Sequence, residues 1–478
     1  MKAVFNIAAA EWRCWQRSRL AVGAAALLAL LLLATTALTT LRLQADAAER
    51  AHHQGEAEAA FRAQPDRHPH RMVHYGHYVF RTPAPLALFD PGLDAVTGQS
   101  LFLEGHRQNS AMFAGSAASA DLGAFSSLSP AWVYQVLAPL LLVLLGHGAL
   151  VREREAGTLA TLLAQGLGGR TLLAGKALAL AAAVVVLLLP LAGAAGLAVA
   201  QGESPAAAGA LLVLYGAYLL LWALLALVAS ALWRRRGAVL AALASLWIAL
   251  TLVLPALAVS ASAAGASLPG KIETDLAMLT ELRRLGDGHN ANDPAFAQLR
   301  AELMAQHGVQ RVEDLPLNLR GVVAEHSERK LTATLNAWAQ RQQAGEQRLA
   351  ERLARHGWIT PVLALAGASR TVAGTDLRHH HRFLQEAEAL RYAFVQGLNR
   401  VHAQQLAYAD DIRRSSDPEA ERRTRVAAST WQLLDRFRFE PDAATARLAQ
   451  AAPQGLMLLP WLAGLLAALA LLGRRLQP

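Results

Sequence analysis

Fifteen of the sixteen histidines fall in residues 42–129 and 261–454. His68, His70, His74 and His77 lie within one short stretch, and His379, His380 and His381 are consecutive. Neutral imidazoles ligate transition metals, and Glu104 with His106 adds another donor pair. None of these spacings is a closed ligand set, and a histidine run also suits a solvated surface, so no metal ligand is assigned. Hydrolytic chemistry finds no better footing. No nucleophile-elbow motif places a Ser/His/Asp set, and the paired acids have no constrained separation for glycoside cleavage. Gly175-Lys176 looks like the end of a phosphate loop, but Ala177 stands where serine or threonine is needed and Arg170 where the first glycine is needed. The reading is therefore of a chain without catalytic residues or a cofactor of its own, not an enzyme by itself. Glu104, His106 and Arg107 read equally as a polar surface or a turn cap, while Tyr392, Phe394, Asn399 and His402 punctuate a helix and read as packing residues.

The most unusual stretch is "VREREAGTLATLLAQGLGGRTLLAGK", residues 151–176, charged and glycine-rich between long apolar tracts. Those tracts lack charge for the roughly 20 helical residues that a hydrocarbon core about 30 Å thick requires. They predict a polytopic α-helical membrane protein with six transmembrane helices, at about 20–41, 130–150, 177–200, 208–232, 238–260 and 455–473. Ser129-Pro130 reads as an N-cap and first helical residue. Glu203 and Pro205 mark one short turn, and "WRRRG" at 233–237 the opposite one. The uninterrupted run at 20–41 exceeds a usual signal-peptide core, so the first helix is expected to stay uncleaved despite Ala45-Asp46-Ala47.

The formal charge of +9 is not a nucleic-acid footprint. Segments 1–19, 150–176, 233–237 and 474–478 together hold thirteen Lys/Arg and three Asp/Glu, and the remainder is nearly balanced. Positive charge gathered in short flanks is the positive-inside pattern. It predicts a membrane protein with both termini and the island in the cytoplasm and two large extracytoplasmic segments. Contact with anionic lipid headgroups follows, and nucleic acid is excluded as a partner. Residues 2–19, with Phe5, Ala8, Trp12 and Trp15 spaced for one face, predict an interfacial helix. The single cysteine, Cys14, leaves the large segments without disulfides.

The expected organisation is 1–41, interfacial helix and first span; 42–129, a first extracytoplasmic domain; 130–260, spans two to five with the cytoplasmic segment 151–176; 261–454, a second, larger extracytoplasmic domain; and 455–478, the last span and tail. "HPHRMVHYGHYVF" holds a short strand candidate. "KIETDLAMLTELRRL", "AFAQLRAELMAQ", "ERKLTATLNAWAQRQQAGEQRLAERLARH" and "FLQEAEALRYAFVQGLNRVHAQQLAYADDIRR" carry apolar stripes that predict a mainly helical second insert. No sustained heptad or internal repeat appears.

Within the island, residues 151–165 can form a short amphipathic helix, with Leu159, Leu162 and Leu163 as an apolar patch. Glu153 and Glu155 sit near its positive end. Periodicity alone fits a docking element and a simple charged reversal alike.

This stretch resembles the cytoplasmic E-R-E-x-G-T-L and R-x-x-L-x-G-K segments of ABC-2-type transporter permeases. The matching positions are Glu153, Arg154, Glu155, Gly157, Thr158 and Leu159, then Arg170, Leu173, Gly175 and Lys176; Val151 and Arg152 depart from the aromatic lead-in common in relatives. Residues 83–113, 125–159 and 390–414 resemble the narrower group of permeases with a DUF3526 region, some linked to multicopper-enzyme maturation. The resemblance implies six helices with two outward inserts and a second identical or related permease. It also implies two cytoplasmic ABC ATPase subunits, which bring the ATP and Mg, and leaves room for a periplasmic partner. The implied function is ATP-driven export or extrusion, with residues 151–165 as coupling helix and Glu153, Arg154, Glu155, Gly157, Thr158, Leu159, Arg170, Gly175 and Lys176 as the residues that couple to the ATPase. ABC-powered envelope assembly or enzyme maturation without bulk transport is the alternative, and a membrane-anchored extracytoplasmic sensor is a third.

Overall fold

The computed structural model describes residues 1–109, 128–264, 270–286, 288–431 and 437–476. The resemblance-bearing positions 110–113 and 125–127 lie outside them. Helix α1 (Lys2–Arg17) ends at Ser18, whose side chain accepts from the Ala21 amide and so opens α2 (Arg19–Arg62). The next elements are α3 (Pro69–Val73), β1 (His77–Phe80) and β2 (Ser100–Leu103), the strands pairing antiparallel with His77 opposite Leu103. The strand expected near Tyr78 is present.

The bundle continues with α4 (Pro130–Glu155), short α5 (Thr158–Ala164), α6 (Gly169–Ala200), α7 (Pro205–Leu232) and α8 (Arg236–Ala264). The lobe follows with α9 (Lys271–Leu282), α10 (Ala297–His307), α11 (Leu319–Arg355), α12 (Pro361–Ala373), α13 (Leu377–Gln405), α14 (Tyr408–Arg413) and α15 (Pro418–Arg423). The last helix is α16 (Ala444–Arg475). Among the described residues six helices, α2, α4, α6, α7, α8 and α16, are long and apolar enough to cross a membrane. Leu27, Leu30, Leu33 and Leu38 of α2 are exposed, a surface suited to hydrocarbon rather than water.

The start expected at Ser129-Pro130 holds. The Ser129 hydroxyl accepts from the Trp132 amide, and Ser204 caps α7 ahead of Pro205. The difference lies at α2, which continues past residue 41 to Arg62 as one helix of 44 residues. Its extension leaves the apolar zone and packs Phe61 into the lobe beside Phe394.

Breaks in the apolar helices are satisfied by side chains from neighbours. Pro139 has no N–H to offer the Gln135 carbonyl, which accepts instead from the Tyr218 hydroxyl at 2.7 Å. The Val136 carbonyl, in the π-helical turn Val133–Leu137, accepts from Trp247 Nε1 at 2.9 Å. Beside Pro190, the Tyr134 hydroxyl donates to the Leu187 carbonyl and accepts from the Leu191 amide. Four helices, α4, α6, α7 and α8, are keyed together where the ladders of α4 and α6 are interrupted.

Segments 42–129 and 261–454 build a common core. Phe61, Met72, Val73, Val79, Leu101 and Leu103 pack with Phe383, Phe394, Val395, Trp431 and Phe439. Helix α12 lies against the bundle with Val362, Leu365 and Ala368 in the bundle core. Buried Arg447 of α16 grips Glu203 in the turn before α7 and donates to the Val372 carbonyl at 2.6 Å. Bundle and lobe are thus bolted together around α12.

A second tie is polar and fully inside the lobe. Asp411 accepts from His402 at 2.8 Å and from the Asn318 amide group at 3.2 Å, and lies 3.2 Å from His68. Burial would raise Asp411, but His402 and His68 outweigh it and hold the carboxylate well below the usual range. Burial pushes His68 down to about 4 despite Asp411. His68 Nδ1 accepts the His70 amide, so its neutral form carries the proton on Nε2, facing Asp411. An unfolded chain therefore takes up a proton below pH about 6.5 that the folded one refuses until about 4. Stability present above about 6.5 is lost on acidification, by up to about 3 kcal/mol at pH 4 from His68 alone. Thermal melts of the detergent-solubilised protein between pH 7 and pH 4 should show this fall, and His68→Asn should flatten it.

Candidate functional site

At the end of the bundle away from the lobe, α1, the island and the start of α6 converge. Buried Lys176 reaches Glu11 of α1 and, at 3.0 Å, Glu153. Arg152 donates to Glu11 at 2.6 Å and lies 3.0 Å from Cys14 Sγ. The other Glu153 oxygen accepts from the Thr158 hydroxyl at 2.6 Å. Two acids and two bases therefore close a nearly neutral network linking α1, α4, α5 and α6. Leaving one of these charges alone in so dry a place would cost several kcal/mol, which is why they occur together.

Arg154 and Glu155 face the turn between α7 and α8. Glu155 accepts from the Arg236 amide at 2.7 Å and from its Nε at 2.5 Å, and Arg154 donates to the Trp233 carbonyl at 2.9 Å. Buried Ser230 accepts the Leu150 and Val151 amides, fixing α4 to α7 just before the island.

The glycines have distinct uses. Gly157, at φ +72°, breaks the expected single helix 151–165 into the end of α4 and α5, and Gly166, at φ +85°, ends α5. Gly175 admits α1: a Cβ there would lie 2.6 Å from Ile7 Cβ and 3.0 Å from the Val4 carbonyl oxygen. Gly175→Val is expected to push α1 off α6 and cost about 1–3 kcal/mol as overpacking, read as a lowered Tm with greater protease access to residues 1–17. Arg170 lies apart from the charge network, against Gly473 of α16.

Two expectations change with the geometry. Leu159 and Leu163 are buried against the bundle and Leu162 is half-buried, so the apolar patch holds α5 down rather than offering itself to a partner. Small residues form the outward face: Ala156, Gly157, Thr158, Ala160, Thr161 and Ala164 are exposed. Glu153 and Lys176 likewise point into the protein. Glu11, the centre of the network, escaped the sequence reading; its signal was being the only acid among the first 45 residues, in a cationic flank.

Elsewhere, His379 and His381 are buried rather than solvated, contacting Asp376 at 3.1 Å and Glu346 at 2.7 Å respectively. Phe394, Asn399 and His402 are buried packing and hydrogen-bonding residues of α13, as their spacing suggested.

Comparison with known families bears on the whole arrangement. No curated protein matches the chain. A family profile described as a domain of unknown function, DUF3526, matches residues 271–440, which cover the helical lobe from α9 onward. A second, described as ABC-2 family transporter protein, matches residues 5–309 and takes in α1, five of the six apolar helices and the entire charged network. With more than half its length matched in this way, the chain belongs to the ABC-2 family of transporter proteins and is a membrane permease subunit of an ABC transporter.

Proposed function

We propose that the chain exports or extrudes a substrate using ATP hydrolysed by two separate cytoplasmic ATPase subunits, with a second identical or related permease completing the path. The network of Glu11, Arg152, Glu153, Thr158 and Lys176 carries this reading. It joins an outward-facing short helix, bounded by two left-handed glycines, to the ends of α1, α4 and α6. Force applied to α5 cannot be absorbed locally, because its inner leucines and the adjoining charges are tied to the bundle. A partner with unequal affinity for two positions of α5 therefore biases two arrangements of the helices.

On this reading both termini and the island face the cytoplasm of a bacterial inner membrane and the lobe faces the periplasm. The ATP and Mg belong to the partner chains. The test is vectorial movement of candidate cargo in proteoliposomes holding the permease and its ATPase. Loss of movement on disrupting Glu153–Thr158, in complexes that still fold and assemble, would support the relay; unchanged movement would refute it.

A second reading, ATP-driven mechanical work on an envelope partner without bulk transport, draws on α2 running unbroken from bundle to lobe. ATP-dependent remodelling of a bound partner in the same vesicles, with no cargo crossing, would favour it.

A further inference from the structure

Four histidines from three separate stretches meet on the lobe. His70 and His74 lie on and just after α3, His106 follows β2, and His289 lies between α9 and α10. One ring nitrogen from each falls within 4.8 Å of the others. The Nε2 atoms of His70 and His74 are 3.2 Å apart. Two nitrogens each about 2.05 Å from a tetrahedral zinc stand roughly 3.3 Å apart, so this pair already has the spacing of two ligands on one ion. His74 and His289 are exposed, and their rings already stack on the cluster, with the His74 and His289 centroids 5.6 Å apart and the His106 and His289 centroids 4.8 Å apart.

His106 is the fixed point. Its Nδ1 lies 3.0 Å from a carboxylate oxygen of Glu328, which is fully buried and held by Arg391 at 2.7 Å. That carboxylate sets the ring and keeps the proton on Nδ1, leaving the Nε2 lone pair for the cluster. Histidine ligands of metals are oriented by a carboxylate in this way. His106 Nε2 is buried and has no hydrogen-bond partner among the described residues. His106 is also the one non-glycine at positive φ among them, +66°. A strained backbone, an orienting carboxylate and a dry unpaired lone pair coincide at one residue.

We propose that His70, His74, His106 and His289 form a site for one divalent transition-metal ion of borderline character, such as Zn2+, Ni2+ or Cu2+. Four neutral nitrogens with no thiolate or thioether suit these ions over Mg2+, Ca2+ or Cu(I). The ion would tie the loop before α10 to the segment holding α3 and β2, and through Glu328 to α11. This inference is independent of the coupling mechanism and of which side of the membrane the lobe occupies.

The experiment uses untagged full-length protein in detergent, stripped with chelator and titrated with Zn2+, with Co2+ as a spectroscopic stand-in. One equivalent of Zn2+ should bind and raise Tm, and Co2+ should give the intense visible bands of tetrahedral nitrogen coordination. Because His74 and His289 are exposed, His74→Ala and His289→Ala should leave the apo Tm unchanged. Each should weaken binding by at least the roughly 10–100-fold that loss of a mere outer-shell partner costs. The exposed cluster of His52, His53 and Glu56 serves as control, and His52→Ala with His53→Ala should bind like wild type. Zn2+ affinity unchanged in His74→Ala and His289→Ala, binding lost instead in the control variant, or no stoichiometric binding at all would each overturn the site.

Discussion

Replacing Lys176 with methionine is expected to cost about 3–5 kcal/mol and to uncouple ATP turnover from movement of the bundle. Lys176 is only 3% exposed and neutralises both Glu11 and Glu153. Its loss leaves Glu11, itself 3% exposed, with Arg152 alone, and breaking a buried pair from one side is far worse than removing both partners. The stability loss will appear as a lowered Tm in detergent. A second variant separates stability from relay. Glu11→Gln combined with Lys176→Met removes both charges and should recover most of the Tm, while ATP turnover by the reconstituted complex stays insensitive to the permease. Recovery of coupling together with Tm would show the charges to be structural only.

Arg391→Met is the corresponding experiment in the lobe, with a similar expected loss of about 3–5 kcal/mol. The Arg391 guanidinium is buried and donates to Glu328, Glu388 and Thr332 at 2.7–2.8 Å. Burial alone would lower it, yet the two glutamates raise it above its ordinary value, so it is a permanent cation whose removal strands Glu328 in a dry interior. Trp431, buried in the same lobe core, gives a fluorescence signal for unfolding. Arg391→Met with Glu328→Gln should restore part of the loss, since a neutral amide needs no counter-charge. If the single variant melts with wild type, the pair contributes nothing to the lobe.

The bundle was legible because its physics is one-dimensional. Uncharged runs of sufficient length read as spans, and Ser129-Pro130 announces the start of one of them. The extension of α2 was hidden because the reading followed hydropathy, which ends near residue 41. The signal that carried on was helix propensity, in the Ala, Glu, Gln and Arg of "QADAAERAHHQGEAEAAFR". At the island the sequence identified Glu153, Thr158 and Lys176 but not their direction. Periodicity says that Leu159 and Leu163 share a face; only packing says that the face is inward. Glu11 pairs with Lys176 across 165 positions, a distance no local pattern spans. The four-histidine cluster fails for the same reason: His70 and His74 are readable as neighbours on one turn, while His106 and His289 come from elsewhere.

The length of α2 has a further consequence. At 1.5 Å per residue its 44 residues make a rod of about 66 Å. Pivoting such a rod at its Ser18 end sweeps the Phe61 end through roughly 1 Å for every degree of lean. Small reorientations inside the bilayer are thereby magnified into displacements wide enough for paired spin labels, one near Arg19 and one near Arg62, to follow against a fixed mark on α7.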